Sequence, residues 1–164
     1  MKQSGRWNSR VMARGVTIVE LMISLMILSI LAVIAVPSMR DTRTNGQVRS
    51  VTSDMVAAIN TARSQAVNLR VNVRIEPIGG DWRLGWNMVY VYPPAVPRVE
   101  ADVSFPQSGD VGVSKNGGAM DMTFQPNGLL AGGATRFEVC GANGTARILD
   151  VSPLGRITNT EAAC

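Results

Sequence analysis

The sequence predicts an α+β fold in which one long N-terminal helix packs on a mostly antiparallel β domain. Three observations carry that expectation. Residues 16–36 read VTIVELMISLMILSILAVIAV, an almost wholly apolar run. Val48, Val51, Met55, Ala58, Ala62, Ala66 and Leu69 then recur at steps of three and four, the spacing of one face of a helix. From Val71 onward the pattern changes to alternation of apolar and polar residues, interrupted by glycine and proline, as in short strands joined by turns. At 164 residues the chain has room for one globular domain beyond its N-terminal helix.

The apolar run holds a single charge, Glu20. At about 1.5 Å per residue it reaches roughly 30 Å, the thickness of a bilayer's hydrocarbon core. The residues before it contain Lys2, Arg6, Arg10 and Arg14 and no acid, which matches the whole formal charge of +4. Such a leader stays on the cytoplasmic side, so a single membrane pass is expected, with the globular part across the membrane, periplasmic or extracellular. An ordinary secretory signal cut after Ala35, with Val33 and Ala35 as its small residues, is the rival reading. Glu20 speaks against it, because a carboxylate in an apolar segment costs about 2 to 3 kcal/mol on insertion scales and is kept where it has a partner and a task.

Four segments are therefore expected: a leader over 1–15, a transmembrane and assembly helix over 16–36, an amphipathic helix over 37–69 and a β-rich domain over 70–164. Pro37 removes one helical hydrogen bond and predicts a kink or loosening. Asn45 with Gly46 predicts a second weak point. The apolar stripe is short and precedes a β-rich region, so it is expected to pack on that domain and not on a coiled-coil partner.

Val71, Val73 and Ile75 predict one strand, and Trp82, Leu84, Trp86, Met88, Tyr90 and Tyr92 a longer one, with a hairpin turn at Pro77, Gly79 and Gly80. Pro93, Pro94 and Pro97 end the second strand in a stiff loop. Further short strands are expected over 99–103, 120–124, 136–140 and 146–151, with turns at Gly117 and Gly118, Gly132 and Gly133, and Gly141 through Gly144.

Several chemistries are excluded or disfavoured by composition. The chain has no histidine, so nucleophile and base arrangements built on imidazole cannot form. A zinc site would have to rest on two cysteines and carboxylates, and no metal or other cofactor is expected. None of the glycine runs has the helix-flanked spacing of a phosphate loop. Glu100, Asp102, Asp110 and Asp121 stand in polar, loop-like sequence and read as solvated charges, not as a catalytic carboxylate pair. No catalytic residue is assigned, and the chain is not expected to be an enzyme. Cys140 and Cys164 are the two cysteines of a chain built to reach an oxidising compartment. A disulfide between them would close a loop worth about 3.5 kcal/mol in the chain-entropy picture. Neither lies in a C-x-x-C, which disfavours a redox pair.

Gly15 followed by Val16, Thr17, Ile18, Val19, Glu20 and a long apolar helix resembles the processing site of type IV pilins and pseudopilins. Val16 stands where that family commonly shows phenylalanine. The resemblance implies that a prepilin peptidase cuts between Gly15 and Val16 and methylates the Val16 amine, and that Glu20 guides assembly. A freed Val16 amine at membrane depth can pair with a Glu20 carboxylate across subunits, so that one buried charge recruits the next subunit. Asp81-Trp82-Arg83-Leu84-Gly85-Trp86, Phe124-Gln125-Pro126-Asn127-Gly128 and Ser152-Pro153-Leu154-Gly155-Arg156-Ile157 resemble the GspH/FimT branch of these pilin-like proteins. The resemblance implies a minor pilin or pseudopilin, a structural subunit at or near the tip of a type IV pilus or type II secretion pseudopilus. Its implied partners are other subunits, the peptidase and an inner-membrane assembly platform.

Some members of the FimT branch bind DNA through a C-terminal Gly-Arg-x-Arg motif, which makes a DNA-binding minor pilin for natural transformation the alternative. Arg156, with Arg147 and Arg136, would be the phosphate contacts. Here the motif reads Gly155-Arg156-Ile157-Thr158, without its second arginine. Residues 101–164 carry four cations against six anions, which lowers this reading further.

Overall fold

The computed structural model describes residues 15–95, 97–108, 110–116 and 120–164, with no side-chain description at 34–38. The leader up to residue 14, and the turn expected at Gly117 and Gly118, lie outside the described residues. The chain divides into two compact units between Met39 and Arg40.

Helix α1 runs from Ile18 to Leu69, and the backbone is assigned as helix through both Pro37 and Asn45-Gly46. In the second unit its stripe meets the sheets as the spacing predicts. Val48, Val51, Met55, Ala58, Ile59, Ala62 and Ala66 are buried, whereas Leu69 is only half-buried. Alanine at 58, 62 and 66 lets the sheets come close to the helix axis. Met55 and Ile59 fill the wider part, each contributing about 1.5 to 3 kcal/mol by burial. Enlarging the narrow part, as in Ala62→Leu, would force neighbours off their rotamers at a cost of about 1 to 3 kcal/mol.

Nine strands come after the helix: β1 Asn72–Pro77, β2 Gly85–Val91, β3 Val103–Pro106, β4 Gly112–Asn116, β5 Met122–Phe124, β6 Leu130–Ala131, β7 Thr135–Cys140, β8 Thr145–Val151 and β9 Ile157–Ala163. They form two antiparallel sheets, one in the order β3-β2-β1-β5-β6 and the other β4-β7-β8-β9. Alternate residues of both sheets enter one core with the helix stripe, among them Val73, Ile75, Trp86, Met88 and Phe124 of the first sheet and Phe137, Val139, Leu149 and Val151 of the second.

Three expectations need correction. Trp82 and Leu84 are not strand residues, because Asp81 caps a 3₁₀ turn over Trp82–Leu84 by accepting the Arg83 backbone N–H at 2.9 Å. The turn drops Trp82 into the core, edge-on to Phe137 of the second sheet with ring centroids 4.9 Å apart. The strand expected over 99–103 begins only at Val103. Before it, Asp102 accepts the Tyr90 backbone N–H at 3.0 Å and pairs with Arg98 at 2.8 Å, so a carboxylate replaces a strand partner at the end of β2. Finally, β4, β6 and β9 have no counterpart among the expected strands.

Candidate functional site

The residues singled out by sequence fall into three places. At the N-terminus, Gly15, Val16 and Thr17 precede α1 and are exposed, and among the described residues nothing lies within 4 Å of where a Gly15 Cβ would be. Thr17 starts the helix: its Oγ1 accepts the Glu20 backbone N–H at 3.2 Å and its carbonyl accepts the Leu21 N–H at 3.1 Å. Sequence reasoning did not single out this cap, although Thr17 and Glu20 have the threonine-x-x-glutamate spacing that announces it. Glu20 thereby sits in the first turn, where a carboxylate faces the positive end of the helix dipole.

The described side chains of the apolar run are exposed on every side of the helix. Ile18, Leu21, Ile23, Leu25, Ile27, Leu28, Leu31 and Val33 range from 53% to 80% exposed. Ser24 and Ser29 donate back to the Glu20 and Met26 carbonyls at 2.8 and 2.7 Å, satisfying their hydroxyls within the helix. Among the described residues no helix is long and apolar enough to cross a membrane, and the last three side chains of the apolar run, 34–36, are outside that description. A helix apolar all round needs an apolar surround, which is lipid or other helices.

The second place is the C-terminal disulfide. Cys140, at the end of β7, is bonded to Cys164, just after β9, with their Cα atoms 5.7 Å apart. The Cys164 backbone N–H also donates to the Gly144 carbonyl at 3.1 Å. The bond thus fastens the ends of two strands that flank β8.

The third place is the arginine set weighed for DNA contact, and the fold does not assemble it. Arg136 lies opposite Asp150, on the outer face of the sheet, and makes two hydrogen bonds to it at 2.7 and 2.9 Å. These bonds hold the Asp150 carboxyl below its ordinary value and raise the Arg136 guanidinium. Arg147 lies opposite buried Val139, hence on the inner face, and is paired with Glu161. Arg156 stands in the turn before β9, its N–H donating to the Ser152 hydroxyl at 3.1 Å. Two of the three charges are therefore spent on acids, and they point to opposite sides of one sheet. A pairing of Arg156 with Asp150 or Glu161 also fails, since those acids are held by Arg136 and Arg147.

Arg63, which carries no sequence motif of its own, ties together two of the quoted segments. Exposed on α1, it donates from Nε to the Gly128 carbonyl at 3.2 Å. A Cβ on Gly155 would lie 2.7 Å from Arg63 Cδ, and Gly155 has φ +72°. Gly128 has φ +78°, with Val67 Cγ2 3.1 Å from the corresponding point. Both turns are thus moulded to the helix surface in a conformation that favours glycine. Among the described residues no group of three or more histidine, cysteine, aspartate or glutamate side chains is placed to hold a metal.

Residues 51–155 match the family model described as type II transport protein GspH, and residues 10–36 match the prokaryotic N-terminal methylation motif. No curated protein matches the sequence. Among solved structures, the type IV minor pilin FimU of Pseudomonas aeruginosa strain PAO1 is similar in two crystal forms. One superposes with a TM-score of 0.57 at 21% identity over 71% of this chain and 90% of that one. The other gives 0.53 at 23% identity over 68% and 91%. The minor pseudopilin EpsH from the type 2 secretion system of Vibrio cholerae gives 0.50 at 6% identity over 71% and 97%. At these identities the likeness is one of fold.

Proposed function

Because the chain belongs to the GspH family of type II transport proteins, we infer that it is a structural subunit, a minor pilin or pseudopilin, and not a catalyst. The observation that carries the inference is the N-terminal helix: described apolar side chains exposed on all sides, one carboxylate in its first turn, and an exposed glycine junction just before it. The match to the methylation motif supports the same reading.

In this reading a prepilin peptidase cuts between Gly15 and Val16 and methylates the new amine. The helix anchors the chain in the inner membrane, with the C-terminal domain in the periplasm, until the assembly platform draws it into a filament near the tip. Inside the filament, neighbouring helices replace lipid around the apolar surface, and the Val16 amine of one subunit meets the Glu20 carboxylate of another. Each charge alone would be costly at that depth, so the pair favours addition of the next subunit.

The test is Glu20→Ala. The variant is expected to be processed, stable and at least as easily inserted, yet lost from sheared filaments. Its recovery there at the parent level would remove the assembly role. Intact mass of membrane-extracted protein should place the N-terminus at a methylated Val16, whereas a start after Ala35 would return the segment to ordinary signal peptidase. The DNA reading finds no support in the arginine geometry.

A further inference from the structure

The last strand of the second sheet presents a free edge with an unusual neighbour. β9 pairs with β8 along all seven of its residues and is the outer strand of its sheet. Alternate backbone N–H and C=O groups of an edge strand face away from the sheet, and proteins usually blunt such edges with lysine, proline, a bulge or brevity. The other three edges follow that rule: β4 carries Lys115, β3 ends in Pro106, and β6 has two residues. β9 reads ITNTEAA, without lysine or proline; its one charge, Glu161, is answered within the sheet by Arg147, and it pairs with no break in register.

Its inward face is equally unusual. Asn159 lies opposite buried Leu149, and Glu161 opposite Arg147, so both belong to the core side, yet both are exposed. Between α1 and β9 a notch of about 260 Å³ is lined by Arg49, Thr52, Ser53, Arg147 and Asn159. Arg147 is 19% exposed and donates to Asn159 Oδ1 at 3.4 Å as well as to Glu161. Arg49 is exposed and pairs with no acid among the described residues. The Thr52 hydroxyl is committed to the Val48 carbonyl at 2.6 Å. Of the two guanidinium groups lining the notch, only Arg147 is paired with a carboxylate, which leaves room for an acid at Arg49.

We propose that β9 is a docking edge: an extended segment of a neighbouring filament subunit adds to it as a further strand and places an acidic side chain in the notch between Arg49 and Arg147. The inference rests on the filament reading above and specifies which surface of the domain makes the contact. Strand addition satisfies the outward backbone groups, and the surplus positive charge selects the acid. A lipid headgroup would answer the charge but not the backbone. The Cys140–Cys164 bond holds the end of the strand in place beforehand, which lowers the ordering needed on binding.

The test uses the full-length chain in cells that assemble the filament, carrying a photo-crosslinking residue at Thr160 of β9 or, as reference, at Ser114 of β4; both positions are exposed. Thr160 is expected to trap another subunit and Ser114 to trap none. Arg49→Glu should lower the Thr160 adduct by roughly tenfold and Arg49→Lys should retain most of it, with thermal stability unchanged in both. Equal trapping from the two edges, an adduct indifferent to Arg49→Glu, or an adduct with lipid alone would overturn the docking edge. In those cases recovery of the parent chain in sheared filaments would leave the filament reading standing. A parent chain absent from the filaments would sink both.

Discussion

Arg70, the residue after α1, has φ 55°, a left-handed conformation that costs a residue with a Cβ about 1 kcal/mol and is usually given to glycine. The side chain is exposed, so little opposes its removal. Arg70→Gly is expected to stabilise the domain by about 0.5 kcal/mol, a rise of a few degrees in thermal unfolding of a fragment starting at Arg40. Gly155→Ala should act oppositely and more strongly, lowering stability by about 2 kcal/mol, since the added methyl meets both a positive φ and Arg63 Cδ. If the Arg63 contact is the cause, the same change should cost less in an Arg63→Ala background. A double-mutant cycle in denaturant reads that difference, and strict additivity would assign the whole cost to the backbone.

At the scale of elements, the junction of β2 and β3 carries a pH dependence. The Tyr90 N–H and then Arg98 hold the Asp102 carboxyl below its ordinary value of 3.8. A carboxylate lowered on folding contributes stability that is complete above that ordinary value and fades as pH falls through the lower, folded one. Asp102→Asn should therefore cost about 1 kcal/mol at neutral pH, and the gap between variant and parent should close in acid titrations of unfolding. The same junction shows where sequence reasoning reaches and where it stops. β1, β2, β7 and β8 are legible because each buries one face and so alternates. β9 is not, because its inward positions include Asn159 and Glu161, which the helix leaves uncovered. β6 is too short to have a period, and the 3₁₀ turn holding Trp82 hides behind an alternation that Asp81 overrides. In the N-terminal segment, Glu20 can be picked out in the sequence because an isolated acid in an apolar run has so few structural uses, whereas Gly15 and Val16 come from the resemblance to a pilin processing site. Arg63 and Arg49 cannot, since their significance depends on turns and a strand brought to the helix from far along the chain.

For the molecule as a whole, charge decides one question and connectivity another. The second unit, from Arg40 to Cys164, has twelve cations against eleven anions, and two of the three arginines weighed for DNA contact are paired with acids. Duplex DNA is expected to bind this fragment no better than about 10⁻⁴ to 10⁻⁶ M, with a shallow dependence on salt. Submicromolar affinity at physiological salt that is lost in Arg156→Ala would reverse the conclusion. Connectivity enters through the disulfide. Cys140 and Cys164 are 24 positions apart in sequence, and everything between them, including β8 and β9, lies inside a closed covalent ring. Traction applied between Arg40 and Cys164 is conducted across the bond and bypasses the ring. Once the domain yields under an optical trap, its contour length should be about 80 Å shorter in the oxidised state than in the reduced one. The ring acts as an inextensible buckle, so hauling on the fibre can unravel the leading strands while the trailing edge keeps its shape.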